Sequence, residues 1–210
     1  MRKFHLHTPK MLQGDFQLLK INVAFVFQVN CPGCFIYGIP LLNELFKKYE
    51  KEIGFISIST AFEDFELNTE ANTIALLEDG KLVGETKKYF DSVAETLCPA
   101  KIKFPVAFDK LTNAGEFLTD ENTKLVCKQN LNFNLLSSEE HQTMFNSVKE
   151  YYNQYSHIAE TFTLTQLPGT PSFVIFDSHY NILQSLFGHQ DKDLIELFLQ
   201  HYLSSNTISV

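Results

Sequence analysis

The residues best equipped for chemistry are Cys31 and Cys34, separated by a proline and a glycine in Cys31-Pro32-Gly33-Cys34. A cysteine thiolate attacks a disulfide sulfur, and a second thiol one helical turn later can attack the mixed disulfide that results. Flanking residues assign the roles. Residues 20–29, Lys20-Ile21-Asn22-Val23-Ala24-Phe25-Val26-Phe27-Gln28-Val29, read as a strand buried on both faces, and after the motif Leu42, Leu45, Phe46 and Tyr49 recur at helical spacing through Lys51. A motif between strand and helix places its first sulfur at the helix N-terminus, where free backbone N–H groups and the dipole favour negative charge. Cys31 is therefore the expected nucleophile and Cys34 the resolving thiol. Pro32 suits a first helical turn, and Gly33 is expected to let the chain turn tightly.

A structural zinc site would need four ligands, usually two close pairs. Cys98 and Cys127 stand far apart, and the histidines at 5, 7, 141, 157, 179, 189 and 201 show no ligand spacing. The sequence therefore calls for no metal and no cofactor. Cys98, just before Pro99, and Cys127, after Leu125-Val126, read as spectator thiols, with a regulatory disulfide between them as the alternative. Tyr151, Tyr152 and Tyr155 fall at helical spacing with Met144 and Val148, which assigns them to packing.

The elements that must position the cysteines follow from periodicity. A second buried strand at 53–59 completes a βαβ unit and so a parallel pair. Residues 61–165 read as mainly helical, with a helix opening near Asn68, another over 86–97 stopped by Pro99, and a third opening at Ser137. Ser137 and Glu140 have capping-box spacing, and Met144, Val148, Tyr151, Tyr155 and Ile158 make one stripe. Residues 103–109 read as a short strand and 110–136, polar and Asn-rich, as loop. A strand at 172–176, a turn at 177–181, a hairpin partner at 182–187 and a helix over 191–203 close the chain.

The C-x-x-C between strand and helix, together with Gly169-Thr170-Pro171-Ser172-Phe173-Val174-Ile175-Phe176-Asp177, resembles the thioredoxin superfamily. The resemblance implies an α/β three-layer fold with a mixed central sheet. It also implies a cis Pro171 facing the cysteines, and a Thr170 backbone beside Cys31 that pairs with an extended substrate peptide. Phe104-Pro105-Val106-Ala107-Phe108-Asp109 and Gly188 fit the redoxin branch, whose members carry a central insertion. On this reading residues 1–210 are one domain, its core at about 20–60 and 166–203 and its insertion at about 61–165. Three positions depart from the family pattern: Asn30 stands where many members have Trp, and Phe25 where many have a buried acid. Pro40 sits one residue beyond the usual kink proline, so a helix irregularity is expected there.

Composition bounds the function. With 44% hydrophobic residues, 20 Phe and 8 Tyr in 210 residues, there is material for a core without disulfide staples. A formal charge of −8 argues against nucleic-acid partners, and Arg2 is the only arginine. No stretch approaches the roughly 18 apolar residues of a membrane span, and His and Pro break the N-terminal segment before a signal sequence could form. A cytoplasmic location and no membrane partner are expected. The resemblance implies a thiol-disulfide oxidoreductase that reduces protein or small-molecule disulfides with a thiol electron donor. The alternatives are a redoxin-type thiol peroxidase and a non-catalytic binding module using residues 61–165 as partner surface. The peroxidase resemblance implies a Thr or Ser three residues before the cysteine and a nearby arginine; here Gln28 and Arg2 are the residues available.

Overall fold

The computed structural model describes residues 2–95 and 97–205. Its centre is a six-stranded mixed sheet formed by β1 (Met11–Gln13), β2 (Ile21–Phe27), β3 (Gly54–Ser59), β4 (Val106–Phe108), β7 (Ser172–Asp177) and β8 (Ile182–Phe187), in the order β1-β4-β3-β2-β7-β8. β2, β3 and β4 run parallel, whereas β1, β7 and β8 each run antiparallel to their neighbour. All seven residues of β2 are buried, which is why its sequence lacks polar alternation. Side chains on a strand alternate between faces. Val23, Phe25 and Phe27 join the larger core beneath α1 (Ile39–Tyr49) and α8 (Lys192–Ser205), while Ala24 and Val26 join a second core with Phe4, Leu167 and Phe176.

Phe25, where many relatives of the resembled family carry an acid, is fully buried among aromatic rings. Its centroid lies 5.5 Å from Phe27, 5.0 Å from Phe173 and 6.2 Å from Phe104. Gly38 lets the motif helix approach this cluster: a Cβ there would meet the Phe25 ring at 2.6 Å.

The helices between β3 and β7 are α2 (Glu70–Asp79), α3 (Gly84–Ser92), α4 (Ala114–Phe117), α5 (Asp120–Lys128), α6 (Ser138–Tyr152) and α7 (Glu160–Thr165). A two-stranded antiparallel sheet of β5 (Leu111–Asn113) and β6 (His157–Ala159) joins them. The expected capping box forms: Ser137 Oγ accepts from the Glu140 N–H at 3.3 Å, and the Glu140 carboxylate accepts from the Ser137 N–H at 2.7 Å. Asp109 fastens this region to the end of β4. Its buried carboxylate accepts from Thr60 Oγ1 at 2.8 Å and from the N–H groups of Thr161 and Phe162 at 2.8 and 3.1 Å. Burial outweighs these bonds and pushes its pKa up to about 6.

Several expectations are corrected. Residues 110–136 are not loop but carry β5, α4, α5 and a 3₁₀ turn at Phe133–Leu135. The Thr119 hydroxyl caps α5 by accepting from the Asn122 N–H at 3.1 Å, and Phe117 and Val126 are buried against Ile158 and Leu164. Tertiary packing thus fixes a segment whose local composition is polar. α3 ends at Ser92 instead of running to 97, since Ala94 takes a left-handed φ of 64°. Ile158 lies in β6, beyond the end of α6. Edge strand β1 carries no periodic signal because it is three residues long. Among the described residues no helix is long and apolar enough to cross a membrane.

Candidate active site

The chain leaves β2 and begins a helix at Pro32, so Cys31 sits immediately before its first turn. Residues Cys34–Gly38 form a π-helical turn, closed by the Ile39 N–H donating to the Cys34 carbonyl, before α1 proceeds as ordinary helix. Pro40 has no N–H to offer the next turn, and a π turn accommodates an extra residue. That extra residue accounts for Pro40 standing one position beyond the place expected for it. Gly33 adopts right-handed helical angles, φ −61° and ψ −31°, so the tight turn expected of it is not its contribution. A Cβ there would lie 3.9 Å from Pro171 Cδ, an ordinary contact.

Cys31 is half-buried and Cys34 fully buried. Cys31 Sγ accepts from the Cys34 N–H at 3.3 Å and faces the Thr170 carbonyl at 3.7 Å, to which its S–H donates. The Thr170–Pro171 peptide is cis, and Pro171 packs against the motif helix. The structure thus brings Cys31, Gly33, Cys34, Thr170 and Pro171 together. Hydrogen bonding from the Cys34 thiol, helped by Thr170 and the N–H groups of Cys34 and Gly33, draws the Cys31 pKa down to about 7 against the opposing effect of burial. Burial, with Cys31 alongside, pushes Cys34 well above the ordinary thiol range. The result is one half-exposed thiol that ionises around neutral pH and one buried thiol held in reserve.

This asymmetry predicts a titration. The thiolate form of a group with lowered pKa is gained as pH rises through that pKa, so alkylation of Cys31 by iodoacetamide is expected to rise with a midpoint near 7. At pH 7 its thiolate fraction should exceed that of an ordinary thiol by about fifteenfold, while Cys34 stays unmodified until much higher pH. A single midpoint above pH 8.5 for both cysteines would contradict it.

Two polar residues emerge at the site that spacing does not reveal. Buried Gln28 accepts from Thr170 Oγ1 at 2.9 Å and so steadies the Pro171 loop. Asn30 ties the motif to residues 64–85: its N–H donates to Asn68 Oδ1 at 2.9 Å, its Nδ2 to Asp64 at 2.7 Å, and its Oδ1 accepts from the Glu85 N–H at 2.6 Å. The only signal in the sequence was that each position departs from a family pattern. Asn30→Ala is expected to loosen residues 64–85, with hydrogen exchange there accelerating about tenfold while the central sheet stays protected.

Arg2 is engaged elsewhere, donating to Gln129 Oε1 at 3.2 Å and to the Thr165 carbonyl at 2.8 Å. With Gln28 bonded to Thr170, neither residue available for the peroxidase reading supplies what that reading implies. Cys98 donates its S–H to the Ala100 carbonyl at 3.2 Å, Cys127 is buried on α5, and burial pushes both thiols up. All four cysteines are free. Among the described residues no group of three or more His, Cys, Asp or Glu is placed to hold a metal ion.

No protein-family model matches this sequence, and no curated protein sequence does. Solved structures do match. A thiol-disulfide isomerase from Corynebacterium glutamicum superposes with a TM-score of 0.57 at 20% identity, covering 96% of this chain and 96% of the other. A thioredoxin-like superfamily protein gives a TM-score of 0.57 at 18% identity, covering 97% of each chain. At these identities the likeness speaks for architecture, and the architecture, a mixed central sheet with flanking helices, is the thioredoxin fold.

Proposed function

We propose that this chain is a thiol-disulfide oxidoreductase that reduces disulfides in protein or small-molecule substrates, with Cys31 as nucleophile and Cys34 as resolving thiol. The observation that carries this reading is the paired asymmetry: a half-exposed sulfur at a helix N-terminus with its pKa drawn down to about 7, beside a buried thiol pushed up. The Cys31 thiolate attacks one sulfur of the substrate, the substrate S–S bond breaks, and the departing sulfur leaves as thiolate. Cys34 then gives up its proton and attacks Cys31 Sγ, breaking the mixed disulfide and releasing the second substrate sulfur. Two electrons have moved to the substrate, and the Cys31–Cys34 disulfide awaits a thiol donor. With Phe25 in place of an acid, the departing substrate thiolate is the base nearest to hand for the Cys34 proton.

Thr170 and Pro171 take the role of the substrate rest: the Thr170 backbone, beside Cys31, offers hydrogen bonds to an extended peptide. Residues 1–210 act as one unit on this reading, in a reducing, cytoplasmic compartment where a thiol donor is at hand. Insulin-disulfide reduction with dithiothreitol as donor tests the proposal. The chain should accelerate precipitation of the insulin B chain well beyond dithiothreitol alone. A rate equal to that of dithiothreitol alone would overturn the reading.

A further inference from the structure

A cleft of about 650 Å³ lies between α6, β6 and α7 and is bounded also by Leu167 and Pro168. Six residues define its character: Phe62, Tyr151, Tyr152, Tyr155, Phe162 and Pro168. Phe62 stacks on Phe162 at 3.9 Å, and the three tyrosines pack ring against ring. Their hydroxyls are tied at the rim, Tyr155 to Tyr151 at 2.9 Å and Tyr152 to Gln166 Nε2 at 2.8 Å. Packing alone does not account for this set, because Tyr151 remains 53% exposed. No Asp, Glu, Lys or Arg lines the cleft, although the chain carries a formal charge of −8. Its volume lies in the range of small-molecule sites, which is ample for an aromatic side chain.

Two residues of its lining, Pro168 and Phe62, connect to the reactive site through their chain neighbours. Pro168 lies two residues before Thr170, whose carbonyl faces Cys31, and Phe62 precedes Glu63, whose carbonyl accepts from Gln28, the residue that also holds Thr170. A substrate strand laid on Thr170 advances about 3.3 Å per residue, so a side chain two to four residues from the reacting cysteine falls roughly 7 to 13 Å away.

We propose that this cleft is a specificity pocket for a neutral aromatic side chain of the substrate polypeptide, two to four residues from its disulfide cysteine. The inference rests on the oxidoreductase reading above and adds a substrate class to it. A wall rich in aromatic rings, with His157, Ser147, Thr163 and Gln166 as its polar members and no Asp, Glu, Lys or Arg, rewards burial of an aromatic ring and penalises a charged residue that would lose its water without gaining an ion-pair partner.

The chain contains no tryptophan, so a tryptophan peptide reports its own environment. Two disulfide peptides differing only in Trp or Ala at these positions, on either side of the cysteine, are compared as substrates of the full chain. The Trp peptide should be reduced with a kcat/KM about tenfold higher, and Tyr151→Ala or Tyr155→Ala should bring it down to the rate of the Ala peptide. A cysteine-to-serine version of the Trp peptide should show blue-shifted emission on binding. Equal rates for both peptides in the unaltered chain would overturn the pocket while leaving the oxidoreductase reading intact, whereas no reduction of either would defeat that reading. N-acetyltryptophanamide binding as tightly as the peptide would also overturn the proposal, making the cleft a small-molecule site.

Discussion

Cys31→Ser is expected to lose disulfide reduction by about a thousandfold or more, because a serine hydroxyl is not ionised at neutral pH and no other thiol faces the site. Cys98 and Cys127 cannot substitute, since burial raises both. Cys34→Ser should behave differently. Its Cys31 thiolate still attacks, but the mixed disulfide has no resolving partner, so substrate stays covalently attached and appears as a heavier species on a non-reducing gel. A Cys34→Ala variant, which has no donor at all, also loses the largest influence lowering the Cys31 pKa, so its alkylation midpoint should move upward from about 7. Full, equal activity in both serine variants would contradict the mechanism.

The second large effect lies beneath the motif. Phe25→Ala removes a fully buried ring from contact with Phe27, Phe104 and Phe173, and should cost about 3–5 kcal/mol in urea unfolding. Gly38→Ala should cost about 1–3 kcal/mol for the opposite reason, since the added methyl meets the same ring at 2.6 Å. The two changes are coupled through one space. The double variant should therefore be more stable than the sum of the single losses implies, and strict additivity would mean that the helix does not rest on Phe25.

How far the sequence discloses this molecule depends on how local each cause is. β2 could be read because burial on both faces leaves an unbroken apolar run, and α6 because its capping box lies within four residues. The sulfur pair and the segment around Pro171 were legible because motif and flanking elements are contiguous. Residues 110–136 were not, because Phe117 and Val126 find their burial against Ile158 and Leu164, contacts that no local window contains. Gln28 and Asn30 escaped for the same reason: their partners, Thr170 in one case and Asp64, Asn68 and Glu85 in the other, lie far along the chain. Tyr151, Tyr152 and Tyr155 read as a packing stripe on one helix, whereas α6 ends at Tyr152 and Tyr155 follows it; spacing reveals neither that end nor whether the neighbour opposite leaves a cleft.

The central claim is that Cys31 and Cys34 form one reversible redox pair. Its most direct test is a redox titration in thiol-disulfide buffers, with free thiols alkylated and the cysteine pairing read by peptide mass. The account predicts a single two-electron transition in which Cys31 pairs with Cys34 while Cys98 and Cys127 remain alkylated at every potential. Pairing of Cys98 with Cys127, or a failure of Cys31 and Cys34 to join under any oxidising buffer, would contradict it.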